Sequence, residues 1–452
     1  MNKKTLLLLS AALLLWALWQ RAFGQEVLNR YIQNGLDSNL ALKQTSFNIS
    51  KAQLDLDRAR SLFYPQVNLS SQYTVSNGGR NIDLPLGDIL NPVYSTLNQL
   101  TSSTKFPQLQ NQSEQFLPND FNDTKFEVTM PLYNPSIKLN RQLKEELISN
   151  YKADRDIYKR DLVKNIKQAY YQYLQAGKAV AIYTNALSTV NENLRFSEKL
   201  VKNNVATKDV VLKAKAQASQ IQTSLIDAQQ QQKNAAAYFN FLLNKNLDAA
   251  VETDSTLFLQ SNQQLSPDID YTYHREELSK LKSTEKVLQK NLQLSQAYKL
   301  PTLNAFYNVG FQGFGYKFND NHFYQLAGLQ LNWNIFKGND NKLKEKQSQV
   351  DIDAIKNQYD DVQNQLRLQA TTSYNSYIAS LQSLRSSADE VQSATEAFRT
   401  IDKKYKEGLA LQLEWTDART QMTNAEIQYS LKQLNVLNKA AELERATATY
   451  KF

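Results

Sequence analysis

Two carboxylates, Glu414 and Asp417, stand three residues apart just beyond a glycine, Gly408. On a helix that spacing puts both on one face. Such a pair can attract cations, and it is also the ordinary look of a solvated charged face. Tyr405 lies three residues before the same glycine, and Asp209 is a further acid near the matching point of the first half. Little else in the chain can do chemistry. With no cysteine there is no disulfide, no thiolate metal site, no Cys nucleophile and no lipid anchor through an N-terminal Cys. Two histidines, His274 and His322, leave metal sites and the common triads short of material. No Gly-rich phosphate loop appears. The sequence calls for no catalysis, no cofactor and no metal.

The elements that must carry these residues are written twice. Each copy has an extended segment after a proline-marked helix exit, at Pro65 and at Pro301. A second extended run, a very long helix, a turn and a return helix follow. A duplicated plan of this kind fixes the architecture before any local detail. Between Pro135 and Pro267 there is no proline and one glycine, Gly177; after Gly338 there is no proline and one glycine, Gly408. In a chain this polar such stretches are long helices. In the second copy Ile352, Ile355, Tyr359, Val362, Leu366, Ala370, Tyr374, Tyr377, Leu381 and Leu384 recur at threes and fours, a coiled-coil register.

The expected boundaries are as follows. The first repeat covers 25–246, with a helix, a strand at 64–76, a loop at 77–123, a strand at 124–133, a long helix at 138–203 and a return helix at 208–246. The second covers 271–452, with a helix at 273–299, strands at 300–312 and 323–336, a long helix at 340–404 and a return helix at 412–450. Each long helix measures ~100 Å, and the two shorter helices of its copy sum to nearly the same length, so they can stack end to end beside it.

The N-terminus reads as a secretory signal over residues 1–24. Lys3 and Lys4 precede an apolar run from Leu6 to Trp19, and Ala22-Phe23-Gly24 offers a cleavage site. That run is short for a membrane span. Removing the segment takes three cationic side chains and lowers the formal charge from +8 to +5, too little to argue for nucleic acid.

The strands alternate with period two. Val67, Leu69, Tyr73 and Val75 oppose Asn68, Ser70, Gln72 and Thr74; Phe126, Val128, Met130 and Leu132 oppose Glu127 and Thr129. Leu303, Ala305, Tyr307 and Val309 oppose Asn304 and Asn308; Ala327, Leu329 and Leu331 oppose Gln330 and Asn332. Apolar outside and polar inside is the pattern of a membrane barrel with an aqueous lumen, and equally of a half-buried soluble sheet. Four strands cannot close a barrel, and lipid does not tolerate an open edge. Three chains would supply twelve strands. Tyr73, Tyr307, Phe311, Phe314, Phe323 and Trp333 are candidates for interfacial girdles.

At this point the chain resembles the TolC family of outer-membrane channel-tunnels over nearly its whole length after the signal. The resemblance rests on the duplicated plan and on two turn motifs. One is Tyr405-Lys406-Glu407-Gly408-Leu409-Ala410-Leu411, followed by Glu414-Trp415-Thr416-Asp417-Ala418-Arg419. The other, Asn203-Asn204-Val205-Ala206-Thr207-Lys208-Asp209-Val210, has Asn204 in place of glycine and Val205 in place of leucine. Asn tolerates a left-handed turn better than most residues, so the turn is expected to survive.

The resemblance implies a membrane α+β fold: a homotrimeric twelve-stranded β-barrel, four strands per chain, continuous with a periplasmic helical coiled-coil barrel. It implies an exit duct in the outer membrane of a Gram-negative cell. Its partners would be outer-membrane lipid, a periplasmic adaptor and an inner-membrane RND or ABC transporter, with no nucleic acid. The adaptor would meet the turns at Asn204, Val205, Ala206, Gly408, Leu409 and Ala410. Glu414 and Asp417 would form acidic rings at the periplasmic gate, with Tyr405 and Asp209 beside them. The family's gate arginine is replaced by Ala410, so that latch is missing or shifted, to Arg399 or Lys403. Residues 247–270 would form an equatorial segment. A barrel-anchored adhesive or structural coiled coil is the alternative; it explains neither the duplicated strands nor the turn at Gly408.

Overall fold

The period-two segments pair into one antiparallel sheet, and the proline-free stretches form long helices. The computed structural model describes residues 27–254 and 275–452; the expected signal and most of the 247–270 connection lie outside the described residues. In chain order the elements are α1 (27–38), α2 (Leu40–Ser61), β1 (Gln66–Thr74), β2 (Asn81–Leu84), α3 (Leu86–Leu100), β3 (Gln112–Gln115), β4 (Phe121–Tyr133), α4 (Pro135–Lys202) and α5 (Lys208–Leu242). Then come α6 (Glu276–Gln296), β5 (Thr302–Phe314), β6 (Phe323–Asn332), α7 (Asp340–Lys406) and α8 (Gln412–Thr447). They divide into two compact units.

The unit formed by residues 54–144 and 289–349 holds the sheet, in the order β1-β4-β5-β6. Register decides its faces, because residues directly opposite in a ladder share a side. Val67 faces Val128, which faces Tyr307, which faces Ala327; Leu69, Phe126 and Val309 form the next row. Val67, Leu69, Phe126, Leu329 and Leu331 are all exposed. The other face carries Asn68, Glu127 and Asn308 in one row and Gln72, Asp123 and Gln312 in another. There Lys125 pairs with Asp123 at 2.9 Å, and the Tyr324 hydroxyl donates to the same carboxylate at 3.1 Å. Phe306 breaks the alternation by lying on this polar face. It packs over Gly328, where a Cβ would stand 2.5 Å from its ring. Among the described residues strands β1 and β6 end the sheet, each with one edge unpaired.

Several expected boundaries move, for local reasons. Segment 77–123 is not all loop: β2 pairs with β3, and α3 lies between them. Asn91 and Asn98 fasten that helix, each amide donating to and accepting from the backbone of Leu109 or Phe106 at 2.7–3.0 Å. Strand β4 begins at Phe121 because Asn122 and Asp123 still pair with Gly313 and Gln312. Strand β6 stops at Asn332; beyond it, the Trp333 indole donates to the Lys299 carbonyl at 3.2 Å. Helix α4 starts at Pro135, since the first turn has no use for the missing N–H, and the Asn134 side chain accepts from Ser136 N–H at 3.1 Å. Helix α5 ends early because Asn244 takes φ 52°, and α8 ends where Ala448 takes φ 55°.

The girdle candidates separate. Tyr73, Phe311 and Phe323 join Tyr316 and Phe318 in one chain of ring contacts 5.0–5.9 Å apart. Phe314 instead meets Phe121 at 5.6 Å, and register places this pair on the face of the polar row. The Tyr307 hydroxyl donates to Gln325 at 3.0 Å.

The second unit, residues 27–53, 145–254, 275–288 and 350–452 among those described, is helical. Its largest core joins Ile32 of α1, Ile166 and Tyr170 of α4 and Phe239 of α5. Tyr377 and Leu384 of α7 pack with Val436 and Leu443 of α8, a seven-residue spacing on both helices, as the heptad register requires. A charged cluster fastens α4, the start of α6 and the end of α8. Arg160 grips Glu276 at 2.7 Å, and Arg445 reaches Asp161 at 2.7 Å and Glu277 at 2.8 Å. Arg275, fully buried, holds Glu277 and the Ala446 carbonyl. Burial works to raise the Glu277 carboxyl, but Arg275 and then Arg445 outweigh it and hold it at about 2. Among the described residues no helix is long and apolar enough to cross a membrane.

Candidate functional site

Both turns of the helical unit close with the same backbone device. After α4, Val205 N–H bonds the Leu200 carbonyl at 2.9 Å and Asn204 N–H bonds Val201 at 3.1 Å. After α7, Leu409 N–H bonds Lys404 at 2.8 Å and Gly408 N–H bonds Tyr405 at 3.1 Å. These are nested bonds around one left-handed residue, Asn204 at φ 58° and Gly408 at φ 76°. The expectation that Asn204 can replace glycine is met by the backbone itself. Val205 and Leu409 are both exposed, at 72% and 73%. Ala206 and Ala410 are half-buried.

Beneath the second turn lies a small core. Trp415 of α8 and Tyr405 of α7 are buried against Val190 of α4, with Phe196, Ile221, Phe398 and Ile401 around them. The Trp415 indole donates to Asp402 at 2.8 Å, and Lys406 reaches the same carboxylate at 2.7 Å. The Tyr405 hydroxyl donates to the Gln412 side-chain carbonyl. The Gln412 amide donates to Thr416 at 3.4 Å, and the Thr416 hydroxyl donates to Gln217 of α5 at 3.2 Å. Arg419 is buried with its guanidinium 5.3 Å from the Phe398 ring. Burial pulls it below its ordinary value, while Glu426 and Asp402 act the other way.

The acidic candidates are all exposed, and two are engaged locally. Glu414 accepts from the Leu411 N–H at 2.7 Å, so it caps the start of its own helix. Asp209 accepts from the Thr207 hydroxyl and lies 3.5 Å from Lys213. That hydroxyl and then the lysine hold its carboxyl below the usual range. Asp417 stands on the surface of α8. Of the two substitutes for the arginine absent at Ala410, Arg399 pairs with Glu396 on its own helix at 3.3 Å, and Lys403 is exposed. Gln217, Gln412, Thr416 and Asp402 went unnoticed in the sequence. The signal that could have found them is slight: Gln412 and Thr416 are one turn apart on the face that carries Trp415.

Residues 273–449 match the model of a family described as outer membrane efflux protein. No curated protein matches the chain by sequence. Among solved structures, CusC superposes with a TM-score of 0.74 at 12% identity, over 93% of this chain and 92% of that one. VceC from Vibrio cholerae gives 0.71 at 16%, over 93% and 95%. The open state of the MtrE outer membrane channel from Neisseria gonorrhoeae gives 0.70 at 15%, over 93% and 88%. The chain is TolC-like. The family resemblance, the fold of long helices with a small antiparallel sheet, the efflux reading and the outer-membrane address are borne out with it. The adhesive coiled-coil alternative is not supported.

Proposed function

We propose that three copies of this TolC-like chain close a twelve-stranded barrel and serve as the exit duct of a tripartite efflux or secretion system. The observation that carries this is the sheet. It is apolar on one exposed face and polar on the other, and among the described residues its edge strands β1 and β6 each lack a partner on one side. In lipid those edges must be satisfied by neighbouring chains. Substrates would arrive from an inner-membrane RND or ABC transporter through a periplasmic adaptor that docks on Asn204-Val205-Ala206 and Gly408-Leu409-Ala410. Residues 1–24 are the export signal on this reading.

The acids nearest the second turn, Glu414 and Asp417, then form stacked negative rings. Such rings select cations and bind polyvalent cations that block a pore. Asp209 is a weaker contributor, because Thr207 and Lys213 already engage it. The test is a planar-bilayer recording on purified trimer. The wild type is expected to conduct, to prefer cations and to be blocked by trivalent cations. Glu414→Gln with Asp417→Asn should weaken both selectivity and block while the trimer persists. Unchanged selectivity and block would remove the two acids from the gate.

A further inference from the structure

On the polar face of the sheet, toward the start of α4, lies a groove of about 820 Å³. Every residue that lines it belongs to the sheet unit. A groove of that size takes a drug-sized molecule. Register orders its floor. Glu127 and Asn308 stand side by side in one row, Phe306 in the next, and Asn304 opposite Gln330 in the row after. Phe306 leans over Gly328, which has no side chain to hold it off, so an aromatic surface lies between two polar rows. Asn308 is 9% exposed, yet its Oδ1 has no hydrogen-bond partner in the protein. A buried acceptor without a donor is costly, and a site that keeps one needs a reason. Glu127 is the one charged residue of the groove. The four strands carry a single cationic side chain, Lys125. It is committed to Asp123 at 2.9 Å, and among the described residues Glu127 is in no ion pair.

These three groups specify a ligand. The carboxylate attracts a cation. The face of Phe306 stacks on a flat ring and favours positive charge near it. The Asn308 oxygen calls for an N–H or O–H donor. We propose that the groove is a binding subsite for a flat organic cation that carries N–H donors, an aryl amidinium being the simplest case. Its ring lies on Phe306, its charge faces Glu127, and one N–H donates to Asn308 Oδ1. The proposal rests on the duct reading for the polar face to line the lumen, and it deepens that reading by naming a substrate class. Three chains present three such grooves along the exit path. Binding there is weak and reversible, because a transit site that holds its substrate stops the flow.

The probe is 2-naphthamidinium, titrated calorimetrically into the purified protein. Two analogues divide its features: 2-naphthamide keeps the ring and N–H groups without the charge, and trimethyl(2-naphthyl)ammonium keeps the ring and charge without N–H donors. The amidinium should bind, and each analogue should bind about tenfold more weakly, the weight of one hydrogen bond to a charged group. Asn308→Leu should weaken the amidinium about tenfold and leave the trimethylammonium compound unchanged, since that compound never used the acceptor. It should melt no lower than the wild type, because it removes an unpartnered buried atom; a residue that only packed the sheet would lose stability instead. Glu127→Gln should weaken both cations and spare the amide. Should Asn308→Leu fail to assemble, Glu127→Gln at its half-buried position carries the test. Wild-type affinity in Glu127→Gln and in any assembled Asn308→Leu, or equal affinity for the amidinium and the amide, would overturn the subsite. Affinity lost instead in Glu414→Gln with Asp417→Asn would also overturn it and place the cation at the helix turns. A trimer that conducts and does not bind the probe overturns the subsite alone. Protein that binds in the expected pattern and never conducts overturns the duct reading and keeps the groove.

Discussion

At the first turn, Asn204 takes the left-handed conformation, Val205 projects into solvent, and the residues that follow settle their charges among themselves through Thr207, Asp209 and Lys213. At the second turn Gly408 takes that conformation and Leu409 projects, but Tyr405 and Trp415 sit beneath as a buried aromatic pair 6.1 Å apart. Three polar links lead outward from this pair, to Asp402, to Gln412 and through Thr416 to the first hairpin. The shared backbone and the matched exposed residues are what a symmetric docking surface needs. The unequal interiors assign the fastening to the second hairpin and the receiving surface, Gln217 with Val190 and Phe196, to the first. Duplication supplied two equal turns, and only the second stands over a buried aromatic pair.

The largest expected effect tests the symmetric part. Val205→Glu and Leu409→Glu each place a charge on a residue that is over 70% exposed and contributes nothing to the core. Each alone should impair export, and together they should abolish it, with trimer and membrane insertion intact. Copurification of the adaptor should fall in step. Full export from the double variant would show that the adaptor meets some other surface.

The asymmetric part is tested by the next largest. Trp415 is 2% exposed and holds Asp402 through its indole. Trp415→Ala should destabilise the second tip by about 3–5 kcal/mol, the usual range for emptying a buried aromatic site. Val205→Ala at the first tip should change stability by no more than about 0.5 kcal/mol, as exposed substitutions do. Hydrogen exchange of the amides flanking each turn measures both. Equal protection in the two variants would mean that the buried core gives the second tip no stability beyond the first.

Much of this was legible in the sequence wherever a residue has one physical use. Gly408, and Asn204 in its place, announce a left-handed helix end. Alternation at Val67, Leu69, Phe126 and Val128 announces a two-faced strand, and the register rows match it. Heptad spacing at Tyr377 and Leu384 announces the α7–α8 seam. What stayed hidden depends on residues whose use is set by distant neighbours. Gln217 and Thr416 are 199 positions apart, and a glutamine looks the same whether it meets water or a buried hydroxyl. Helix α3 was hidden for another reason. Pro92, and the Asn, Ser and Pro residues of the 77–123 segment around it, read as loop, and only the return segment at Phe106 and Leu109 gives Asn98 and Asn91 something to fasten. Phe314 carries the right residue type for a girdle and the wrong parity for it.

The smallest effect sharpens the charge difference between the turns. Asp209 is held below the ordinary carboxylate range first by the Thr207 hydroxyl and then by Lys213. A carboxylate lowered in this way stabilises its turn at pH values above its unfolded value. The stabilisation fades as pH falls through the lowered folded value. In the periplasmic range the group is therefore always charged, and its charge is already answered within its own helix. A carboxyl carbon titration of the trimer, assigned with Asp209→Asn, should place its midpoint below that of an ordinary aspartate. Thr207→Val should move the midpoint back further than Lys213→Met does, because the hydroxyl bond is the larger cause. A midpoint at or above the ordinary value in the intact trimer would free Asp209 to act as a third acid at the gate. The charges of the two turns would then be alike, and only the buried aromatic core beneath the second would still distinguish them.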